Sequence, residues 1–387
     1  MTEPLLLRNV RPWGADAIHM RLSDGAIVAV GPELDGDGAE TLDGAGALVL
    51  PSLVDAHMHL DKTLWGEPWR DHPAGPTRDE RIAADRRLRR DMADSIEQRA
   101  GALAAQAVRM GTGHIRSHVD VEPELGLRHV EALLNVRETF AGRIDLQLVA
   151  FPQFGMVTNP GTAELMEAAV RAGAEVVGGI DPAAIDRDRD GQLDAVFAIV
   201  ERTGAMVDIH LHEMGEEGAA SMAAICERTR ALGMAGRVAI SHAFCLGSVD
   251  AQHQARLIEG LAAAGVGVVT YAPGSSPVPS VKELNDAGVT LAVGSDGVRD
   301  TWTPYGNADM LERAMMLAYR SGFRKDAEIR LALEAVIEGG ARLLGIDGLG
   351  LAPGCRADLL LVEAATMTEA VVARPAGRTV IKGGRVV

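Results

Sequence analysis

Eight short runs of β-branched and other apolar residues recur along this 387-residue chain. Each is followed by turn residues and a longer stretch of helical composition. The runs span 47–57, 114–120, 145–151, 175–181, 206–212, 238–244, 266–272 and 290–296. Strands that alternate with helices favour a parallel sheet, and eight such units close a (β/α)8 TIM barrel. We therefore predict an α/β protein with such a barrel as its core.

The two ends of the chain do not follow that repeat. Residues 1–50 and 350–387 alternate apolar and polar residues between Gly and Asp turns, which is typical of short antiparallel strands. We predict that they form one small β-sandwich-like domain, and that residues 51–349 form the barrel domain. A charged, helix-like stretch within 62–113 is interpreted as a solvated helix face.

Charge and composition exclude several classes of partner. The formal charge of −16, with no basic stripe, disfavours nucleic acids and anionic membranes. The start, MTEPLLLRNV, lacks a basic segment ahead of a long apolar stretch, and no window of about 18 apolar residues follows. Cys226, Cys245 and Cys355 are too few and too far apart for a disulfide framework or a metal knuckle. We expect a cytoplasmic protein with reduced thiols.

Polar residues gather where five of the eight runs end. In a barrel of this type the carboxyl ends of the strands form the face that carries the active site. The residues are His57 and His59; His118 and Asp120; His210, His212 and Glu213; His242; and Asp296. Six of the 11 histidines are thus predicted to meet at one rim.

The HxH pair at 57–59 has the spacing of metal ligands. Residues two apart on a strand point to the same side, so His57 and His59 can bind one ion. A pair of buried core histidines is the alternative, but His210 and Asp296 at the same rim argue against it. Three imidazoles and a carboxylate suit Zn²⁺ or Fe²⁺ and leave a position for a water whose pKa the ion lowers. The fourth run, EVVGGID, lacks the lysine that usually bridges two metals, so we predict one divalent ion.

The fifth run leaves one ambiguity. In HLHE, His210 and His212 share a face, and spacing alone does not decide which of them binds metal. A carboxylate three residues after the ligand, Glu213, favours His210. His212 would then contact the substrate or orient another side chain.

These motifs resemble the amidohydrolase superfamily. The relevant stretches are HMH at 57–59, the HxxE of His210 to Glu213, SHAF around His242 and GSD ending at Asp296. VAFPQFG (149–155), HVDVE (118–122) and DGVRDTWTPYGNADM (296–310) are similar to the branch of bacterial cytosine deaminase and N-isopropylammelide isopropylaminohydrolase. The resemblance covers nearly the whole chain, including the split β domain.

The resemblance implies a role for each site residue. Glu213 would pass a proton to the ring nitrogen beside the attacked carbon, and His242 would orient and help deprotonate the attacking water. Asp296 and His242 would stabilise the attack. Gln153 would hydrogen-bond the ring carbonyl and ring NH, and Trp302 would line the pocket. The implied ligands of one Zn or Fe ion are His57, His59, His210 and Asp296.

Some positions separate the two relatives. Gly297 stands where cytosine deaminase has a second acidic residue. Lys62, in contrast, matches the lysine of N-isopropylammelide isopropylaminohydrolase, which acts on a triazine. Lys62 would face an electron-rich, oxo-substituted ring; alternatively, it reaches solvent or pairs with Asp61. Phe154 adds apolar surface that suits an alkyl substituent.

The implied activity is hydrolytic removal of an exocyclic amine from a small N-heterocycle by a homo-oligomeric enzyme. Cytosine or a substituted cytosine ranks first as substrate, and an N-alkylamino triazine that releases an alkylamine ranks second. Cyclic amide hydrolysis ranks lower because the bridging lysine is missing. A non-catalytic metal-binding role ranks lowest because Glu213 and His242 are both present.

Overall fold

The computed structural model describes residues 3–72, 75, 77–91 and 95–387. Its N-terminal part forms a run of short strands joined by tight turns at Gly and Asp residues. They are β1 (Leu5–Pro12), β2 (Ile18–Ser23), β3 (Ala26–Gly31), β4 (Glu40–Asp43) and β5 (Leu48–Pro51).

The central part forms an eight-stranded parallel sheet in which the strands are paired in sequence order. Each of the eight apolar runs overlaps one of these strands, which confirms the predicted barrel. They are β6 (Leu53–Met58), β7 (Thr112–Asp120), β8 (Asp145–Phe151), β9 (Val176–Ile180), β10 (Met206–His210), β11 (Val238–Ser241), β12 (Val266–Thr270) and β13 (Leu291–Val293).

The barrel closes where the end of β13 meets β6. The backbone N–H of Asp296 donates to the carbonyl of His57 at 2.8 Å, and Met58 bridges Asp296 in parallel register. Gly294 allows this approach, because a Cβ there would clash with His57. Closure therefore brings the HxH segment beside the aspartate of the eighth strand.

The C-terminal strands pair with the N-terminal ones in a second sheet of order β16-β15-β14-β5-β1-β2-β3, with β4 also on β1. The added strands are β14 (Leu359–Val362), β15 (Arg378–Lys382) and β16 (Arg385–Val386). The two ends thus share one sheet, as predicted, while the exact domain limits remain a prediction. The run 47–57 is not one strand: β5 and β6 belong to different sheets, and the chain changes partner at Ser52, whose N–H donates to Asp358 O at 2.8 Å.

Helices fill the intervals between the strands. They are α1 (Arg78–Asp91), α2 (Ile96–Arg109), α3 (Arg128–Thr139), α4 (Thr162–Ala172), α5 (Arg189–Thr203), α6 (Gly215–Ala231), α7 (Ala251–Ala264), α8 (Val281–Asp286), α9 (Met310–Arg320), α10 (Asp326–Glu334), α11 (Gly340–Leu344) and α12 (Met367–Ala373). Within the described ranges, none of the helices has both the length and the apolar character needed to cross a membrane.

Small apolar side chains and helix α11 fill one end of the barrel. Leu343 and Leu344 pack with residues that point inward from four strands: Val54, Ala56, Ala239, Val269 and Ala292. Alanines at these positions make room for the two leucines. The polar strand ends therefore lie at the opposite, carboxyl end of the barrel.

Helix α1 exposes Glu80, Arg86 and Arg87, as predicted for a solvated face, but its other side is buried. Ala84 and Asp85 are buried, and Thr301 Oγ1 lies 3.1 Å from Asp85 Oδ1. The Arg86 guanidinium lies 4.7 Å from the ring centre of Phe154. The helix therefore contacts the loops that follow β8 and β13, at the end of the barrel where the polar residues gather.

Candidate metal centre and active site

Each of the four predicted ligands has a ligating atom within 3.5 Å of another. His57 Nε2 is 3.5 Å from Asp296 Oδ1, and His59 Nε2 is 3.4 Å from the same oxygen. His210 Nε2 lies 3.4 Å from His59 Nε2. Strands β6 and β10 and the end of β13 thus bring the four side chains together.

The spacing of these atoms fits a divalent ion. A tetrahedral zinc holds imidazole nitrogens at about 2.0–2.1 Å, which places two of them about 3.3–3.4 Å apart. The two Nε2 atoms of His59 and His210 have that separation. His57 Nε2 is buried and has no hydrogen-bond partner among the described residues. Ligand atoms of His57, His59 and Asp296 lie within 4.8 Å of one another, as do those of His57, His210 and His242.

The surroundings of these side chains favour the protonation states that metal binding requires. It holds the pKa of His210 well below its ordinary value, and the neighbouring His118 adds to the effect. Burial likewise lowers the pKa of His59, with a further contribution from Lys62. For Asp296, burial raises the pKa, but the adjacent His57 and His59 side chains outweigh it and hold the pKa well below the usual range. Neutral imidazoles and an ionised carboxylate are the ligating forms.

His242 follows β11 in a rare backbone conformation, with φ of 74°. Its ring centre lies 5.0 Å from that of His57 and 4.9 Å from that of His210. Burial holds the pKa of His242 well below its ordinary value, and the charge of His212 adds to this. A neutral imidazole is thus held beside the four ligand candidates.

His212 has a different environment from His210. Its Nδ1 lies 2.9 Å from Asp181 Oδ2, and its ring stacks on His242 with centres 4.2 Å apart. Burial lowers the pKa of His212, but the Asp181 carboxylate outweighs it and raises the pKa. Because 37% of the side chain is exposed, His212 lies toward the opening of the site.

The carboxyl group of Glu213 is held by three donors. Oε1 accepts from the backbone N–H of Ala183 at 2.8 Å and of Ala184 at 2.9 Å. Oε2 accepts from the Ser221 hydroxyl at 2.5 Å. Burial raises the pKa of Glu213, although the Ser221 hydrogen bond opposes the change. These contacts anchor Glu213 between the loop after β9 and helix α6.

Lys62 is a buried, paired residue. Its ammonium lies 2.7 Å from Asp120 Oδ1 and donates to Gln153 Oε1 at 2.5 Å. Burial lowers the pKa of Lys62, but Asp120 and other carboxylates outweigh it and raise the pKa. Lys62 therefore does not reach solvent; it pairs with Asp120, and the nearby Asp61 adds a weaker attraction. Asp61 instead lies 2.8 Å from His129 Nδ1.

Trp302 and Phe154 lie in the loops beyond β13 and β8, and both are half-buried. The Arg81 guanidinium lies 6.0 Å from the Trp302 ring centre, and Arg86 faces Phe154. These cations come from α1. The two aromatic rings are therefore covered by the helix that crosses this end of the barrel.

Sequence reasoning missed two residues near the site. The Tyr271 ring lies 5.4 Å from that of His242, and its place at the end of the seventh run is the signal that identifies it. Asp300 accepts from the Trp302 backbone N–H at 2.8 Å, and burial raises the pKa of Asp300 to about 7. A side chain at Gly297 would meet the Asp300 carboxylate, so the missing second acid leaves room for Asp300.

Comparisons with known proteins agree with this architecture. The amidohydrolase family model matches residues 40–387. N-isopropylammelide isopropyl amidohydrolase of Pseudomonas sp. (strain ADP) is 29% identical over 396 residues, which cover 99% of this chain and 96% of that protein.

Two solved structures are similar over almost their whole length. N-isopropylammelide isopropylaminohydrolase from Burkholderia multivorans ATCC 17616 is 47% identical, with a TM-score of 0.97 and coverage of 100% of this chain and 98% of that chain. 5-methylcytosine deaminase from Klebsiella pneumoniae, liganded with 5-fluorocytosine, is 29% identical, with a TM-score of 0.86 and coverage of 99% and 97%. The family match spans far more than half of the chain and includes every strand-end histidine and Asp296. This chain belongs to the amidohydrolase family.

Proposed function

We propose that this protein is a metal-dependent aminohydrolase that removes an exocyclic amine from an oxo-substituted N-heterocycle. The observation that carries the proposal is the 3.4 Å separation of His59 Nε2 and His210 Nε2, beside an Asp296 oxygen that both HxH histidines approach. This arrangement suits a mononuclear hydrolytic site with an open position.

The proposed metal ligands are His57, His59, His210 and Asp296, and the ion is zinc or iron. A divalent ion lowers the pKa of a coordinated water and so supplies hydroxide at neutral pH. His210 is preferred to His212 because its Nε2 faces His59, whereas His212 Nδ1 contacts Asp181.

Two further residues move protons in this proposal. Neutral His242 orients the attacking water and accepts its proton. Glu213, whose pKa burial raises, delivers a proton to the ring nitrogen beside the attacked carbon. The remaining hydroxyl proton then passes to the exocyclic nitrogen, the C–N bond breaks to release a neutral amine, and a carbonyl forms, while the proton held by His242 restores the acid form of Glu213. Asp296, as a proposed ligand beside the HxH pair, stabilises the attack together with His242.

The substrate contacts proposed are Gln153, Lys62, Trp302, Phe154 and His212. The Gln153 amide NH₂ is a donor for a ring carbonyl, because its oxygen already accepts from Lys62. Lys62 adds positive charge for an electron-rich ring. Phe154 and Trp302 supply apolar surface on the side that α1 covers.

An N-alkylammelide, which would release an alkylamine, is the first substrate to test. The relative that is 47% identical over the full chain is named for that activity, and this favours it over cytosine, which sequence alone ranks first. A substituted cytosine is the second candidate, supported by the 29% identical 5-methylcytosine deaminase.

The three cysteines are free thiols, which supports the proposed cytoplasmic location. The homo-oligomeric state remains a prediction that light scattering would check.

The test is turnover by protein loaded separately with zinc and with iron. N-isopropylammelide, cytosine and 5-methylcytosine are supplied in turn, and ammonia and isopropylamine are both quantified. We expect amine release that chelation abolishes and metal restores. His210→Ala should be inactive, while His253→Ala, which removes an α7 histidine beside Glu216, should be active. If the metal-loaded protein releases neither ammonia nor an alkylamine from any heterocycle of the panel, the proposal is wrong.

A further inference from the structure

A chain of buried polar side chains runs from His57 into the barrel interior. His57 Nδ1 lies 2.8 Å from Ser241 Oγ, and the Ser241 hydroxyl lies 2.6 Å from Asp208 Oδ1. Arg116 Nη1 donates to Asp208 Oδ2 at 2.9 Å. All four residues are buried. Strands β6, β11, β10 and β7 each contribute one of them.

Counting protons along this chain assigns the direction of each hydrogen bond. A carboxylate offers only acceptors, so Asp208 accepts from both Arg116 and the Ser241 hydroxyl. Ser241 has a single proton, which it gives to Asp208, and so its oxygen accepts from His57 Nδ1–H. The neutral His57 ring then has its lone pair on Nε2, the atom that faces Asp296 Oδ1 at 3.5 Å.

The far end of the chain is fixed in place. Arg116 Nε donates to Gln147 Oε1 at 2.7 Å, and Nη2 donates to the carbonyl of Leu343 at 3.0 Å. Helix α11, which fills one end of the barrel, therefore fixes the Arg116 guanidinium through the Leu343 carbonyl, and the guanidinium in turn fixes Asp208. Burying an ion pair costs desolvation free energy that apolar side chains avoid, so this arrangement is a poor choice for stability alone.

The ring of His57 is confined as well as hydrogen-bonded. The ring centre of His118 lies 4.1 Å from that of His57. Rotation of the His57 ring by a half turn would lose the Ser241 contact. One orientation and one tautomer are therefore specified together.

We propose that Ser241 and Asp208, braced by Arg116, are positioning residues that fix His57 in the Nδ1–H tautomer, with Nε2 available to a metal ion. The inference rests on the proposed role of His57 as a ligand. Removing such an outer contact to a ligating histidine typically weakens metal binding by ~10–100-fold.

Two substitutions test this in different ways. Ser241→Ala deletes the acceptor of the Nδ1 proton. Asp208→Asn keeps the volume, but its amide oxygen faces the donors of Arg116, so its NH₂ faces Ser241. With its acceptor at position 208 gone, the Ser241 hydroxyl is free to donate to His57 Nδ1, which favours the Nε2–H tautomer and so opposes metal binding at Nε2. We expect both variants to bind zinc ~10-fold or more weakly in competition with a chromophoric chelator.

Spectroscopy separates this role from a general structural one. Nitrogen chemical shifts of ¹⁵N-histidine apoprotein report the tautomer of His57, identified by its loss in His57→Gln. We expect Nδ1–H in the wild type and in Ser241→Thr, which retains the hydroxyl, and Nε2–H in Asp208→Asn. Visible spectra of the Co²⁺-loaded proteins should change in Ser241→Ala and Asp208→Asn.

Controls keep folding and metal binding apart. Thr229→Val removes a buried hydroxyl that donates to Ile225 O within α6 and should leave zinc affinity unchanged. Urea unfolding of each apoprotein shows whether it is folded. If Ser241→Ala and Asp208→Asn both bind zinc as tightly as the wild type and keep its His57 tautomer, the inference is wrong, while the proposed function stands. Failure of the wild type to bind a metal, or full binding by His57→Gln, would instead refute the proposed site.

Discussion

The ammonium of Lys62 lies 2.7 Å from the carboxylate of Asp120, and both side chains are buried. Removing one partner of a buried ion pair is strongly destabilising, by about 3–5 kcal/mol. We therefore expect Lys62→Met to lower the free energy of unfolding by about that amount, measured by urea denaturation of the apoprotein. The double variant with Asp120→Asn should recover most of the loss. Equal stability of Lys62→Met and the wild type would contradict the pairing.

The same double variant isolates the substrate role of Lys62. A hydrogen bond to a charged group is worth about 1.5–3 kcal/mol, so its loss should raise KM for N-isopropylammelide by roughly 10–100-fold. Gln153 loses a donor to its Oε1 in the same variant, so Gln153→Ala is measured alongside. A single Asp120→Asn variant is the control, since it keeps the ammonium. An unchanged KM in the stable double variant would assign Lys62 to folding alone.

The ambiguity between the two histidines of HLHE has a direct test. We expect His210→Ala to lose the metal ion, because His210 Nε2 is 3.4 Å from His59 Nε2. His212→Ala should retain about one ion per chain, since His212 Nδ1 is engaged by Asp181. Elemental analysis after dialysis against trace metal distinguishes the two. If His210→Ala retains the metal ion and His212→Ala loses it, the assignment of the ligand is reversed.

Local sequence patterns were sufficient to predict the barrel and the residues at the ends of its strands, because both follow from the order of elements along the chain. The alternation of apolar runs with helical stretches predicts the barrel, and the HxH spacing places His57 and His59 on one side of a strand. The position of Asp296 at the end of the eighth run suffices to bring it to the same rim. None of these predictions requires knowledge of which side chains touch.

Contacts between distant elements could not be predicted in this way. Lys62, just after β6, meets Asp120 at the end of β7 and Gln153 just after β8, and no sequence spacing encodes that meeting. The hydrogen bonds of Ser241 depend on inward-pointing residues from neighbouring strands. The charged composition of α1 indicates exposure, yet Asp85 is buried against the loop after β13. Such features depend on tertiary packing, which one sequence does not determine at the level of single residues.

Glu213 is expected to act in turnover and not in metal binding. Glu213→Gln should retain the ion and lower kcat by at least ~10²-fold, the usual scale for a positioned acid or base. Its amide keeps the oxygen that accepts from Ala183 and Ala184, so the loop stays anchored. Glu216→Gln, at the exposed start of α6, is the matched control and should retain wild-type kcat. Near-normal turnover by Glu213→Gln with full metal content would remove Glu213 from the mechanism.

Acid should weaken the junction between the small sheet and the barrel. Lys382 Nζ lies 2.9 Å from Asp358 Oδ2. Burial raises the pKa of Asp358, but His114 and Lys382 outweigh it and hold the pKa below its usual range. A carboxyl whose pKa is lower in the folded state stabilises that state fully above its unfolded pKa of about 3.9, and the contribution is lost progressively as pH falls from there through the lower folded-state pKa. Urea unfolding at a series of pH values from 7 to 3 should therefore show a steeper decline below about pH 4 in the wild type than in Asp358→Asn. Asp16→Asn, in an exposed turn, should follow the wild-type curve, and parallel curves for all three proteins would contradict the prediction.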